Sequence, residues 1–184
     1  MNESTNGAGN AARDASVPCA DLMRVDDHDL VVRPIDLADV ERLSRLFTRL
    51  SPSSVQFRFF SPIPRPPRAA LLRLADVDHA RRDALVALDG DEIVGVARYD
   101  ARPGATVAEI ALTVEDAWQR RGVGKRLAKR LARLAAERGY ERFTATMLPQ
   151  NRAALGLVRK LVPDASVRWA ADGYEATLPL PHAS

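Results

Sequence analysis

Hydrophobic positions recur along this chain with two periods, and each change of period marks a new element. Val107–Val114 (VAEIALTV) is apolar or β-branched except at Glu109, which reads as a strand. Alternation puts Val107, Glu109, Ala111 and Thr113 on one face, and Ala108, Ile110, Leu112 and Val114 on the other. After the polar turn Glu115-Asp116-Ala117 the period lengthens. Val123, Leu127, Leu131, Leu134 and Ala135 form one stripe of an amphipathic helix, which Gly139 is placed to stop.

The same reading extends in both directions. Leu30–Ile35 predicts a strand whose Pro34 suits a strand end or edge. Asp36 is a candidate N-cap for a helix over 37–50, with Leu37, Val40, Leu43, Phe47 and Leu50 at helical spacing. The proline-dense stretch Ser51–Pro67 predicts a short helical turn over 55–60 and then an extended arm, followed by a helix over 68–75. Strands over 84–88 and 93–99 are joined at Asp89-Gly90-Asp91, a hairpin signal. Beyond the long helix come a strand over 143–148, a short helix from Asn151 to Leu161, and strands over 167–170 and 175–180 around Asp172-Gly173. This order predicts a single α/β domain over 25–184, a mixed sheet of six or seven strands with helices on both faces. Residues 1–24, rich in Asn, Ser, Gly and Ala, predict a disordered leader.

Composition narrows the function classes. No apolar run is long enough to span a membrane, and the N-terminus lacks the apolar core of a secretory signal. A single Cys19 permits no internal disulfide, and His28, His79 and His182 have no ligand spacing, so no metal is expected. The expected compartment is cytoplasmic. The net charge is +3, yet residues 117–138 hold eight arginines and lysines against Glu137 alone. Cation concentrated on one helix, without interleaved aromatics, favours a compact polyanion over nucleic acid. A solvated helix face remains the alternative.

Gln119-Arg120-Arg121-Gly122-Val123-Gly124 joins strand to helix, so the unpaired first-turn amides are offered to an anion. A Walker loop needs a different glycine spacing and a hydroxyl after Lys125. A dinucleotide fingerprint needs glycine where Leu127 stands. The remaining pattern, Gln-x-x-Gly-x-Gly led in by Trp118 and followed by Asn151-x-x-Ala154-x-x-Leu157, resembles the acetyl-CoA signature of the GNAT superfamily of N-acetyltransferases. The resemblance covers about residues 30–180. It implies a mostly antiparallel sheet whose central strands 107–114 and 143–148 splay apart around the pantetheine arm of acetyl-CoA. Leu50-Ser51-Pro52-Ser53-Ser54, Arg58-Phe59-Phe60-Ser61-Pro62 and Ala108-Glu109 further resemble bacterial Pat-type protein lysine acetyltransferases.

The resemblance implies cofactor contacts from Gln119, Arg120, Arg121, Gly122, Val123, Gly124 and Lys125, from Leu112, Thr113 and Val114, and from Asn151. Attack by an amine on a thioester needs a base and an oxyanion donor. A backbone amide around Leu112–Val114 is the candidate donor. Glu109 is the candidate base, the role its counterpart has in Pat-type enzymes; the residues alone leave open a solvent-facing carboxylate. Asn151 could equally be a plain helix N-cap. Many relatives carry a tyrosine acid where Val158 stands, so none is expected here. Phe57, Phe59 and Phe60 read as core and loop anchors, Arg58 as a structural partner of a carboxylate, and Asp76 and Asp78 as turn formers. The implied acceptor is a protein lysine, for instance on an acyl-CoA synthetase. A small amine (polyamine, amino acid or aminoglycoside) and a CoA-binding sensor without turnover are the alternatives.

Overall fold

In the computed structural model, which describes residues 21–61, 65–171 and 173–181, eight strands form one sheet in the order β1-β2-β3-β4-β5-β6-β8-β7. The strands are β1 (Asp21–Val25), β2 (His28–Pro34), β3 (Arg82–Asp89), β4 (Glu92–Ala101), β5 (Val107–Val114), β6 (Arg142–Met147), β7 (Ser166–Ala170) and β8 (Gly173–Pro179). The helices are α1 (Val40–Arg49), α2 (Pro52–Phe59), α3 (Arg68–Ala75), α4 (Val123–Glu137) and α5 (Arg152–Leu161). Every pairing is antiparallel except β5 with β6.

Two cores follow from the period-two pattern of the strands. Ala84, Val86, Leu88 and Ile93 meet Leu43, Leu46 and Phe47 of α1, Val55 of α2 and Leu71 of α3. On the other face Leu85, Ala87, Ala97, Tyr99, Ala108 and Phe143 pack under Val123, Leu127, Leu131 and Ala135 of α4. β5 divides as its alternation predicts: Ala108, Ile110, Leu112 and Val114 belong to the α4 side, and Glu109 and Ala111 line a cavity on the α2–α3 side.

The N-terminal boundary differs from expectation. Residues 21–25, counted largely with the leader, form β1 against β2, with Met23 and Val25 buried. Five residues are too few to declare a period. Their burial depends on α4, to which Arg126 (donating to the Arg24 carbonyl) and Arg130 (paired with Asp21) tie them. The rest of the predicted leader with Cys19, residues 62–64 of the proline arm, Asp172 and His182 lie outside the described residues.

Candidate active site

The site begins where β5 and β6 part. Their parallel pairing covers only Val107–Arg142, Ala108–Phe143 and Glu109–Thr144. Beyond it β5 stays with β4 as far as Val114–Gly95, while β6 stays with β8 as far as Met147–Tyr174. A wedge opens between them, and Glu109 stands at its apex. Glu115 donates its amide to the Val94 carbonyl (2.9 Å). In an antiparallel pair alternate residues turn both N–H and C=O to the same neighbour, so Glu109, Ala111 and Thr113 face β4. Leu112 and Val114 turn theirs toward the wedge. The Thr113 amide is therefore turned toward β4, which leaves Leu112 and Val114 as the candidate amide donors of this stretch.

The loop that follows is tied down by its own side chains. Gln119 Nε2 donates to the Val114 carbonyl (3.0 Å) and to Ser54 Oγ (3.2 Å). Asp116 accepts from the Ser51 amide (2.9 Å), Ser51 Oγ (2.7 Å) and Ser54 Oγ (2.9 Å). Burial alone would raise its carboxyl; these donors instead hold it below the usual range. Ser51 also caps α2 through the Ser54 amide. The Ser-Pro-Ser-Ser segment thus docks α2 on the loop between β5 and α4.

Gly122 has φ +89° and leads into α4, where no side chain caps the first turn. The first intrahelical bond comes from the Arg126 amide to the Gly122 carbonyl (3.1 Å), leaving the amides of Val123, Gly124 and Lys125 without intrahelical partners. A Cβ on Gly124 would lie 3.0 Å from Leu112 Cδ2 and 3.4 Å from Val114 Cγ2, so this glycine brings the helix start close to β5. The amides of this turn can hold a diphosphate.

Charge on α4 is distributed differently from what its sequence suggests. Arg121 pairs with Asp26 (2.6 Å) and lies over Trp118 (4.4 Å). Arg126 and Arg130 hold the β1–β2 hairpin, and Arg138 pairs with buried Asp83. Arg120, Lys125, Lys129 and Arg133 remain exposed. Half of the basic cluster is thus architectural. The side chains of Gln119 and Arg121 are likewise committed to the fold, and Asn151 Oδ1 caps α5 through the Ala154 amide (3.0 Å).

On the opposite face from the start of α4, a cavity of about 370 Å³ lies between the sheet and helices α2 and α3. Arg58 and Phe59, Ala70, Arg73 and Leu74, and the strand residues Arg82, Arg98, Asp100, Glu109 and Ala111 line it. Burial, reinforced by Arg98, pushes the Arg58 guanidinium down to about 10. Arg58 was expected to pair with a carboxylate. It makes no hydrogen bond or ion pair among the described residues and lies over the Phe59 ring at 5.2 Å. Phe59 packs on Phe47 (5.3 Å), as an anchor should, whereas Phe60 is exposed. Asp78 is a turn former, accepting from the Ala80 and Arg82 amides.

Of the cavity's arginines the sequence pointed to Arg58 alone, and Arg73, Arg82 and Arg98 were missed. A signal existed at Arg98, the one charge in the apolar run over 93–99 of β4, as Glu109 is in β5. Val158 is buried on α5. Tyr99 is buried, pushed up to about 12, and bound to the Ala80 carbonyl and Arg138. Among the described residues no group of three or more His, Cys, Asp or Glu could hold a metal, and no helix is long and apolar enough to cross a membrane.

Residues 46–161 match the model of the acetyltransferase (GNAT) family. An acetyltransferase of Pseudomonas aeruginosa is 33% identical over 153 residues, covering 78% of this chain and 82% of that protein. The acetyltransferase Pat of Mycolicibacterium smegmatis is 34% identical over 142 residues, which cover 75% of this chain and 41% of that longer protein. The solved GNAT domain of S. lividans PAT is 31% identical with a TM-score of 0.79, covering 86% of this chain and 94% of that domain. With a wedge between β5 and β6 and a glycine turn opening α4 beside it, the chain belongs to the GNAT family: it is an N-acetyltransferase that uses acetyl-CoA, and it is similar to Pat-type enzymes.

Proposed function

We propose that this enzyme transfers the acetyl group of acetyl-CoA directly to the side-chain amine of a protein lysine, with Glu109 as general base. The observation that carries the reading is the position of Glu109. It stands at the apex of the β5–β6 wedge and faces a cavity on the sheet face opposite the glycine turn. Acceptor and acetyl-CoA could then approach the parting strands from different sides. A lysine amine, with a pKa of about 10.4, is protonated at neutral pH and must lose that proton before it attacks. The Leu112 and Val114 amides, turned toward the wedge, can donate hydrogen bonds to the developing oxyanion. The same edge can pair with an amide-bearing arm as an added strand would. The first turn of α4 and exposed Arg120 and Lys125 suit the phosphates. Arg121, Gln119 and Asn151 act in this scheme by fixing loop and helix. With Val158 in the slot of the usual tyrosine, the thiolate leaves without a tyrosine acid.

The Pat-type resemblance supports a protein acceptor, and an acyl-CoA synthetase is the candidate to try. Incubation with acetyl-CoA and such a synthetase should give an acetylated lysine by mass spectrometry. Modified polyamines or amino acids in its place would move the acceptor to small amines. Glu109→Gln should lower kcat by about 100-fold or more while calorimetry shows CoA binding retained. An unchanged rate and pH profile would remove Glu109 as base. CoA binding without turnover by the unaltered protein would favour a sensor.

A further inference from the structure

The cavity beside Glu109 has more positive charge than the fold itself can use. Arg58 makes no hydrogen bond or close ion pair among the described residues, and the carboxylate that acts on it is Glu109, across the cavity. Arg98 keeps only 11% of its side chain exposed, yet its contacts are the Leu74 carbonyl at 3.3 Å and the half-exposed Asp100 at 3.9 Å. Arg82 reaches Asp78 at 3.9 Å, a carboxylate that already accepts two backbone amides and pairs with Arg81. Arg73 stands exposed on α3 at the rim. The lining carboxylates are Asp100 and Glu109, which face each other across the β4–β5 register. Four guanidiniums therefore surround two carboxylates, one of them assigned above to the acceptor's proton.

Withdrawing a cation from water without a counter-ion is unfavourable, and burial together with Arg98 already lowers the Arg58 pKa. With only Glu109 and Asp100 to offset four guanidiniums, a further anion entering the cavity would be favoured there. The phosphates of acetyl-CoA belong at the start of α4, on the opposite face of the sheet. That further anion must come with the acceptor.

We infer that Arg58, Arg98 and Arg73 bind a carboxylate adjacent to the acceptor amine, so that the preferred lysine is flanked in sequence or space by an acidic residue. The amine then meets Glu109 while its acidic neighbour neutralises the guanidiniums. An acceptor flanked by lysines or arginines would add repulsion and lose that contact. This rests on the protein-lysine reading above, but the charge preference can be judged apart from it.

The test uses the full chain with acetyl-CoA and peptides carrying one lysine flanked on both sides by Glu, Gln or Arg. Free glutamate and a polyamine are added as small-amine arms. The Glu-flanked peptide should exceed the Gln-flanked one in kcat/KM by about tenfold, with the Arg-flanked one lowest. The preference should shrink as salt rises. Arg73→Gln, at an exposed position that does not threaten the fold, and Arg58→Gln should each bring the Glu-to-Gln ratio toward one. Equal rates for the three peptides, a preference for the Arg-flanked one, acetylation of another peptide but not of the Glu-flanked one, or a ratio unmoved in both variants overturns the inference. Acetylation of glutamate in place of any peptide would end the protein-lysine reading and keep the anion site. A preference for the polyamine would end both.

Discussion

Gly122 and Gly124 are two residues apart and serve different physical needs. Gly122 holds φ +89° with open space around it, so any side chain would fit but the backbone would be strained. Gly124 has no such strain; its missing Cβ is what lets α4 approach Leu112 and Val114. Gly122→Ala should cost about 1 kcal/mol of stability, seen in urea unfolding, because an L-residue is being held in the left-handed region. It should also raise KM for acetyl-CoA by turning the first-turn amides. Unchanged stability would mean that the turn relaxes to another conformation. Both glycines were visible as a spaced pair in the sequence. That one is conformational and the other steric could be read only from the neighbours each has in space.

At the scale of elements, α1 is fixed to the sheet by charge. Asp36 accepts from the Ala38 amide (2.8 Å), and Asp39 accepts from the Asp36 amide (2.9 Å). The fully buried Asp39 carboxylate also takes both ends of the Arg33 guanidinium, each at 2.7 Å. Burial by itself would raise the Asp39 carboxyl, but Arg33 and the Asp36 amide prevail and hold it below the usual carboxylate range. A carboxyl depressed in the fold contributes stability above its unfolded pKa of about 3.9, and that contribution is lost as pH falls through the folded value. Asp39→Asn should therefore cost about 3 kcal/mol at pH 7, by stranding Arg33, and flatten the acid limb of the stability profile. Urea midpoints measured from pH 7 down to pH 2 would check both; parallel profiles for variant and parent would rule out Asp39 as an acid-sensitive tie. The Asp36 cap was legible from sequence. The Arg33 pairing was not, because it joins a helix start to a strand face.

At the scale of the whole molecule, the N-terminal hairpin and α4 depend on each other. Met23 and Val25 enter the α4-side core, while Arg126, Arg130 and Arg121 reach back to the hairpin. Deleting residues 1–26 should cost about 3–5 kcal/mol, most of it from the two buried side chains, since the exposed ion pairs add little. Thermal unfolding of the truncated chain would show it. An unchanged midpoint would return residues 21–25 to the leader. The same dependence explains why the basic cluster on α4 overstated its ligand: a sequence counts charges, but pairing with Asp21, Asp26 and Asp83 requires the fold.

By itself the sequence determined what is local and periodic. The strand over 107–114, the helix beginning beside Gly122, and the face on which Glu109 lies all follow from spacings of two and of about three and a half residues. It also carried the glycine pattern through which the family could be recognised. Only the tertiary structure decided how far β5 and β6 stay paired, which amides of Leu112–Val114 look into the wedge, and which arginines gather around Glu109. Those features join residues from Arg58 to Thr144, brought together by strand order and by α2 docking through Ser51 and Ser54 onto Asp116 and Gln119. A periodic pattern fixes where a side chain points, whereas its neighbours depend on pairings between distant segments that no local spacing encodes.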